Sequence, residues 1–104
     1  MQNDLNNLVN LIEKWGEPKG LTKERTILKS WPQFEKVNEE VLEIATAIVN
    51  EDKAELADAI GDTFVTITLL AKQNGLNVMD CIELAYNEIK GRTGKTIGGK
   101  FIKD

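Results

Sequence analysis

The longest stretch of this sequence without a glycine lies between Gly20 and Gly61. Glycine supplies the positive φ angles that many turns need, so a stretch without it favours long regular elements. Proline, which interrupts helices, occurs only at Pro18 and Pro32. We therefore expect long helices with few interruptions through the middle of the chain.

Apolar residues recur every three or four positions along several segments, which is the spacing of one helix face. The turn Asn50-Glu51-Asp52 and the pair Asn74-Gly75 separate three of these segments. We predict an all-α fold, a small bundle of about four main helices. The main helices are expected over residues 3–15, from Ser30 to about Val49, over 53–73 and from Asn77 to Ile89, with a short helix opening at 22–25 and a flexible basic tail at about 91–104.

The chain length of 104 residues fits a single domain, residues 1–104. A domain of this size buries a modest core, so we expect a homodimer or a dimer of dimers. The single cysteine, Cys81, excludes a disulfide framework. Residues 1–12 are polar rather than basic and then apolar, and no apolar run approaches the ~20 residues that span a bilayer. We therefore expect a cytoplasmic protein with no membrane partner.

The sequence contains no histidine. This absence excludes Ser-His-Asp and Cys-His catalysis as well as every histidine-ligated zinc site. Any catalysis must then use carboxylates, lysines, hydroxyls or a bound hard metal ion.

The net charge of −4 is distributed unevenly along the chain. Residues 35–62 carry nine acidic and two basic residues, whereas residues 88–104 carry five basic and two acidic ones. Nucleic-acid binding requires a continuous basic face, and the acidic middle argues against a nucleic acid as the main partner.

Two acidic groups lie on the helices that flank the turn at Glu51. Glu40 and Glu43 share a face of the first helix, and Asp58 and Asp62 share a face of the second. In an antiparallel helix pair these four carboxylates lie at similar heights, where they would repel one another unless a cation is bound. Carboxylate oxygens suit Mg²⁺ or Mn²⁺. The alternative is a solvated acidic face, although none of the four has a basic residue three or four positions later.

These residues carry a family resemblance. Residues 39–71, EEVLEIATAIVNEDKAELADAIGDTFVTITLLA, resemble the MazG-like nucleotide pyrophosphohydrolases of the all-α NTP pyrophosphatase superfamily. Residues 85–104 are similar to the C-terminal part of small MazG-like proteins, which are often phage-encoded. The resemblance implies hydrolysis of a nucleoside triphosphate to the monophosphate and pyrophosphate.

The resemblance also implies roles for particular residues. Glu40, Glu43 and Asp62 would hold Mg²⁺ (or Mn²⁺), and Glu40 is also a candidate catalytic residue. Glu39 is a candidate base that orients the attacking water, or a group that supports the metal ligands. The pattern departs at Ala59, where the family usually has glutamate. Asp58 and Glu55 are the nearest acids, and either is a candidate to replace the missing ligand.

The basic C-terminal stretch allows two interpretations. Exposed lysines and arginines usually only keep a surface hydrated. The resemblance favours Asn87, Lys90 and Arg92 as substrate-binding residues, and Lys95 is a weaker candidate of the same kind. If the change at Ala59 has removed turnover, the alternative function is a nucleotide-binding or helical protein-interaction module.

Overall fold

The structure is a computed structural model, and it describes residues 4–104. Four α-helices form most of the fold, as predicted. The predicted start of the first helix at Asn3 lies outside the described residues. In chain order the helices are α1 (Leu5–Gly16), α2 (Trp31–Val49), α3 (Lys53–Gln73) and α4 (Val78–Ile89), with short 3₁₀ turns at Glu17–Lys19 and Ile27–Ser30 and two strands, β1 (Gly94–Ile97) and β2 (Lys100–Lys103).

Short polar side chains begin three of the four helices. Asp52 accepts a hydrogen bond from the backbone N–H of Glu55 at 3.0 Å, and Asn77 accepts one from that of Met79 at 2.8 Å. Asp4 does the same at the start of α1. Each bond satisfies a helix-end donor that has no partner within its own helix. The starts of α3 and α4 therefore lie within one residue of the predicted positions.

The predicted short helix at residues 22–25 is wrong, because this segment has no regular secondary structure. Its backbone bonds instead to the end of α3. Gln73 donates from its side chain to the carbonyl of Leu21 at 3.0 Å, and its own carbonyl accepts from the N–H of Arg25 at 2.9 Å. The segment is thereby held against the end of α3.

The expectation of a C-terminal tail without regular structure is also wrong. Gly98 and Gly99 have φ angles of 59° and 79°, the positive values that a two-residue hairpin turn requires at both positions. The strands pair antiparallel from Ile97 with Lys100 to Gly94 with Lys103. Neither strand packs extensively against a helix of the described chain, so the all-α class stands.

Helix α3 lies at the centre of the packing. It packs most extensively along α2, and α1 and α4 cover other parts of its surface. The small core contains Val9, Ala71 and Val78, with Phe64 and Met79 packed against it. No helix within residues 4–104 combines the length and apolar character needed to cross a membrane. The close α2–α3 pair is the element that positions the acidic residues.

Candidate functional site

Three carboxylates meet between α2 and α3. Glu40 and Glu43 project from α2 and Asp62 from α3, and one oxygen of each lies within 4.8 Å of the others. The helix register explains this meeting, since Glu40 and Asp62 are each eleven residues from Glu51 in the turn. The structure therefore brings together three of the four acids that the sequence placed at one height.

The carboxylate of Glu40 is the most perturbed group of this cluster. Its buried Oε2 has no hydrogen-bond partner among the described residues. Burial raises the pKa of Glu40, and the neighbouring carboxylates of Glu43 and Asp62 raise it further, while the ammonium of Lys36 lowers it. A buried oxygen without a partner, beside two more carboxylates, is the environment that a hard divalent cation would satisfy.

Asp58 lies outside this group of carboxylates. The buried position at this level of α3 is Ala59, which is 4% exposed, and Asp62 follows it by three residues on the same face. Asp58 is exposed because one residue along a helix rotates a side chain by ~100°. Glu55 is also exposed, one turn nearer the start of α3. The site that the resemblance assigns to a fourth acid is thus occupied by a buried methyl group.

Glu39 occupies a different environment from Glu40. Its side chain is exposed, and its Oε2 lies 3.4 Å from the ammonium of Lys36. It does not belong to the carboxylate group between the helices. An exposed carboxylate directly before Glu40 is accessible to a water molecule.

A cleft of about 540 Å³ opens beside the carboxylates, with Glu40 and Asp62 among its lining residues. This volume lies within the ~300–1,000 Å³ that is typical of small-molecule sites. Its apolar walls include the side chains of Trp15, Leu21, Pro32 and Leu69. The cleft combines apolar surface with charged groups, as sites for amphipathic ligands do.

Two buried glutamines, which the sequence analysis missed, organise the base of the cleft. Gln33 donates to the carbonyl of Thr66 at 3.1 Å, and Gln73 donates to the side-chain oxygen of Gln33 at 3.3 Å. Their spacing offered a signal, because Gln33 lies seven residues before Glu40 and Gln73 seven after Thr66. Seven residues are about two helical turns, which places each glutamine on the face of its helix that carries the site.

The substrate-binding residues that the resemblance implies do not line this cleft. Four exposed residues make up this set: Asn87 and Lys90 at the end of α4, Arg92 in the segment that follows it, and Lys95 in β1. Arg92 lies 3.8 Å from Glu88, one turn earlier in the chain. The structure thus brings the acids together and leaves the four C-terminal residues apart from them.

The family model described as phosphoribosyl-ATP pyrophosphohydrolase matches residues 5–87, which include the acids and the cleft and leave out the hairpin. The chain is 36% identical over 74 residues to an uncharacterized 18.2 kDa protein in the rep-hol intergenic region of Haemophilus phage HP1 (strain HP1c1). That alignment covers 71% of this chain and 44% of the phage protein, so the chain spans less than half of that relative. No solved structure matches.

Proposed function

The chain belongs to the phosphoribosyl-ATP pyrophosphohydrolase family, within the MazG-like all-α NTP pyrophosphatase superfamily, and we propose that it hydrolyses a nucleoside triphosphate in a Mg²⁺-dependent reaction. The products would be a nucleoside monophosphate and pyrophosphate. The resemblance carried by residues 39–71 is confirmed at the level of the family. The family supports pyrophosphohydrolysis of a nucleotide-like substrate, and the triphosphate and the metal are our own extension.

The carboxylates of Glu40, Glu43 and Asp62 are the observation that carries this proposal. They lie within 4.8 Å of one another, and the buried Oε2 of Glu40 has no hydrogen-bond partner among the described residues. We infer that these three residues hold the metal, with Mn²⁺ as a substitute for Mg²⁺. When bound, the metal neutralises phosphate charge and acidifies a water molecule.

Individual residues of the chain have separate roles in the hydrolysis. Glu39 is exposed and accepts a proton from the attacking water, while Glu40 is fixed among the acids between the helices. The water oxygen forms a bond to the α-phosphorus, and the bond between that phosphorus and the oxygen bridging to the β-phosphorus breaks. Pyrophosphate leaves with the electron pair of that bond. Asn87, Lys90, Arg92 and Lys95 remain a prediction for contacts with the substrate.

The direct test is a panel of ribo- and deoxynucleoside triphosphates, extended to phosphoribosyl-ATP because the family's name specifies it. Each substrate is incubated with the protein and Mg²⁺, Mn²⁺ or a chelator, and the products are identified by chromatography and mass spectrometry. We expect a monophosphate and pyrophosphate from at least one triphosphate, only with metal. Release of inorganic phosphate alone, or no product from any substrate, would contradict the proposal.

One observation favours a second candidate function. The buried Ala59 replaces the glutamate that the resemblance implies, so the chain offers three clustered carboxylates rather than four. In this case the protein binds a nucleotide, or acts as a helical protein-interaction module, without turnover. Thermal stabilisation by a nucleotide with Mg²⁺, in the absence of any product, would support this second function.

We also propose that a second copy of this chain covers an apolar groove and forms a homodimer or a dimer of dimers. The groove has a volume of about 710 Å³, and Ile27, Leu28, Trp31 and Phe34 line one side of it. None of its lining residues is charged. A symmetric dimer buries the same patch on both copies, and an uncharged apolar patch is complementary to itself.

A further inference from the structure

Two basic side chains line the cleft that adjoins the carboxylates. Arg25 comes from the irregular segment between the two 3₁₀ turns, and Lys36 comes from α2, one turn before Glu40. Both lie within the residues that the family model matches, whereas Lys90, Arg92 and Lys95 lie beyond them. The cleft therefore has its own pair of cations, separate from the basic C-terminal stretch.

Lys36 is available to a ligand in the cleft. Its ion pair with Glu39 spans 3.4 Å, and the two side chains are 57% and 63% exposed. Exposed pairs of this kind contribute little stability, so a ligand carrying several negative charges can draw the ammonium away from Glu39.

The backbone of Arg25 is held at the rim of the cleft. Its N–H donates to the carbonyl of Gln73, and the side chain of Gln73 holds Leu21 four residues earlier. The guanidinium forms no ion pair in the described part of the chain, and its Nε contacts only a carbonyl, that of Lys23, at 3.4 Å. An arginine with a fixed backbone and an unpaired side chain is well suited to bidentate contact with phosphate.

We propose that Arg25 and Lys36 bind the phosphates of the substrate, with the nucleoside against the apolar walls that include Trp15. This inference rests on the proposed nucleotide substrate. The phosphates would then lie in the cleft, whose lining contains these two cations together with Glu40 and Asp62.

Calorimetric titration with inorganic tripolyphosphate in the presence of Mg²⁺ tests this inference without turnover of a nucleotide. Tripolyphosphate has no nucleobase, so its binding does not depend on which base the protein prefers. The variants are Lys36→Met and Arg25→Gln in the cleft, and Lys53→Met as an exposed control on α3. We expect each cleft variant to weaken binding about tenfold or more, since each loses a charge-assisted hydrogen bond.

Metal binding is measured separately with Mn²⁺ alone. Removal of a positive charge beside the acids cannot weaken cation binding, so Lys36→Met should bind Mn²⁺ at least as tightly as the wild type. If Lys36→Met loses tripolyphosphate binding but still binds Mn²⁺, the loss is caused by a missing contact with phosphate. Circular dichroism melts of every variant exclude unfolding as the cause.

The outcomes separate this inference from the proposed function. The inference is overturned if the cleft variants bind like the wild type, if Lys53→Met weakens binding as much, or if the wild type shows no saturable binding. In those cases a productive substrate panel still supports the pyrophosphohydrolase. If the panel gives no product but the cleft variants lose tripolyphosphate binding, the enzyme proposal fails and the phosphate site stands.

Discussion

Glu40 on α2 and Asp62 on α3 lie equally far from the turn between their helices, eleven residues on either side of Glu51, and their carboxylate oxygens approach within 4.8 Å. A shift of one residue in this hairpin would separate them, because the side chain would rotate by ~100°. The turn thus sets the distance between like charges that repel in the absence of a cation. This relationship makes the role of Asp62 testable against its neighbour one turn away.

Asp62→Asn should abolish pyrophosphohydrolysis, with a fall in kcat/KM of about 100-fold or more, because a metal ligand is lost while the side-chain shape is kept. Asp58→Asn is the matched control, since Asp58 lies on the same helix but outside the carboxylate group. It should retain activity within about a factor of three, well below the range for a lost metal ligand. Equal losses in both variants would indicate that Asp58 also holds the metal.

Addition of a divalent cation should change how the free energy of unfolding depends on pH. The pKa of Glu40 is raised from 4.5 in the folded state, so the native state holds this proton more tightly than the unfolded state does. In a chelator, the free energy of unfolding should therefore fall as the pH rises from about 4.5 through the raised pKa of Glu40.

Glu40→Gln isolates this effect from the other titrating groups. The variant should show a smaller fall over the same pH range and should lose most stabilisation by Mn²⁺, whereas the wild type should regain stability when Mn²⁺ is added. Urea unfolding at several pH values, with and without Mn²⁺, gives both measurements. Identical pH profiles for the variant and the wild type in chelator would show that Glu40 is not the perturbed group.

Ala59→Glu should restore a fourth carboxylate and tighten divalent binding. Ala59 lies three residues before Asp62 on the buried face of α3, so a glutamate there would point toward the acids. The variant should be less stable than the wild type in chelator, because it buries another charge, and more strongly stabilised by Mn²⁺. Calorimetry with Mn²⁺ measures the affinity, and Ala57→Glu, at an exposed position of the same helix, is the control. No gain in affinity would argue against a metal at this level of the helix pair.

The helical part of the fold was predictable from the sequence because local signals and packing agree. The caps Asp52 and Asn77 bond as their positions predict, and α3 runs from Lys53 to Gln73. The hairpin at the C-terminus was missed because four-residue strands carry little periodicity, although Gly98-Gly99 is a hairpin turn signal. The segment at residues 22–25 was missed because its partner is Gln73, a contact distant in sequence.

The candidate site was predictable to the extent that it depends on helix periodicity. Counting from Glu51 placed Glu40 opposite Asp62, but counting alone did not show that Asp58 is rotated away while Ala59 is buried. The cleft was not predictable, because Trp15, Arg25 and Lys36 come from three separate elements. Their meeting depends on tertiary packing, which leaves no pattern within any one segment.

Leu28→Asp should convert the proposed dimer, or dimer of dimers, into a smaller species. Leu28 is 83% exposed in the described chain and lines the apolar groove, so a charge there would remain unpaired and desolvated when a second copy docks. Val49→Asp is the matched control, because Val49 is 81% exposed and lies at the end of α2, outside the groove. Size-exclusion chromatography with light scattering should give a reduced mass for the first variant only, with equal helix content in both. A monomeric wild type, or an unchanged mass for Leu28→Asp, would show that a second copy does not cover this groove.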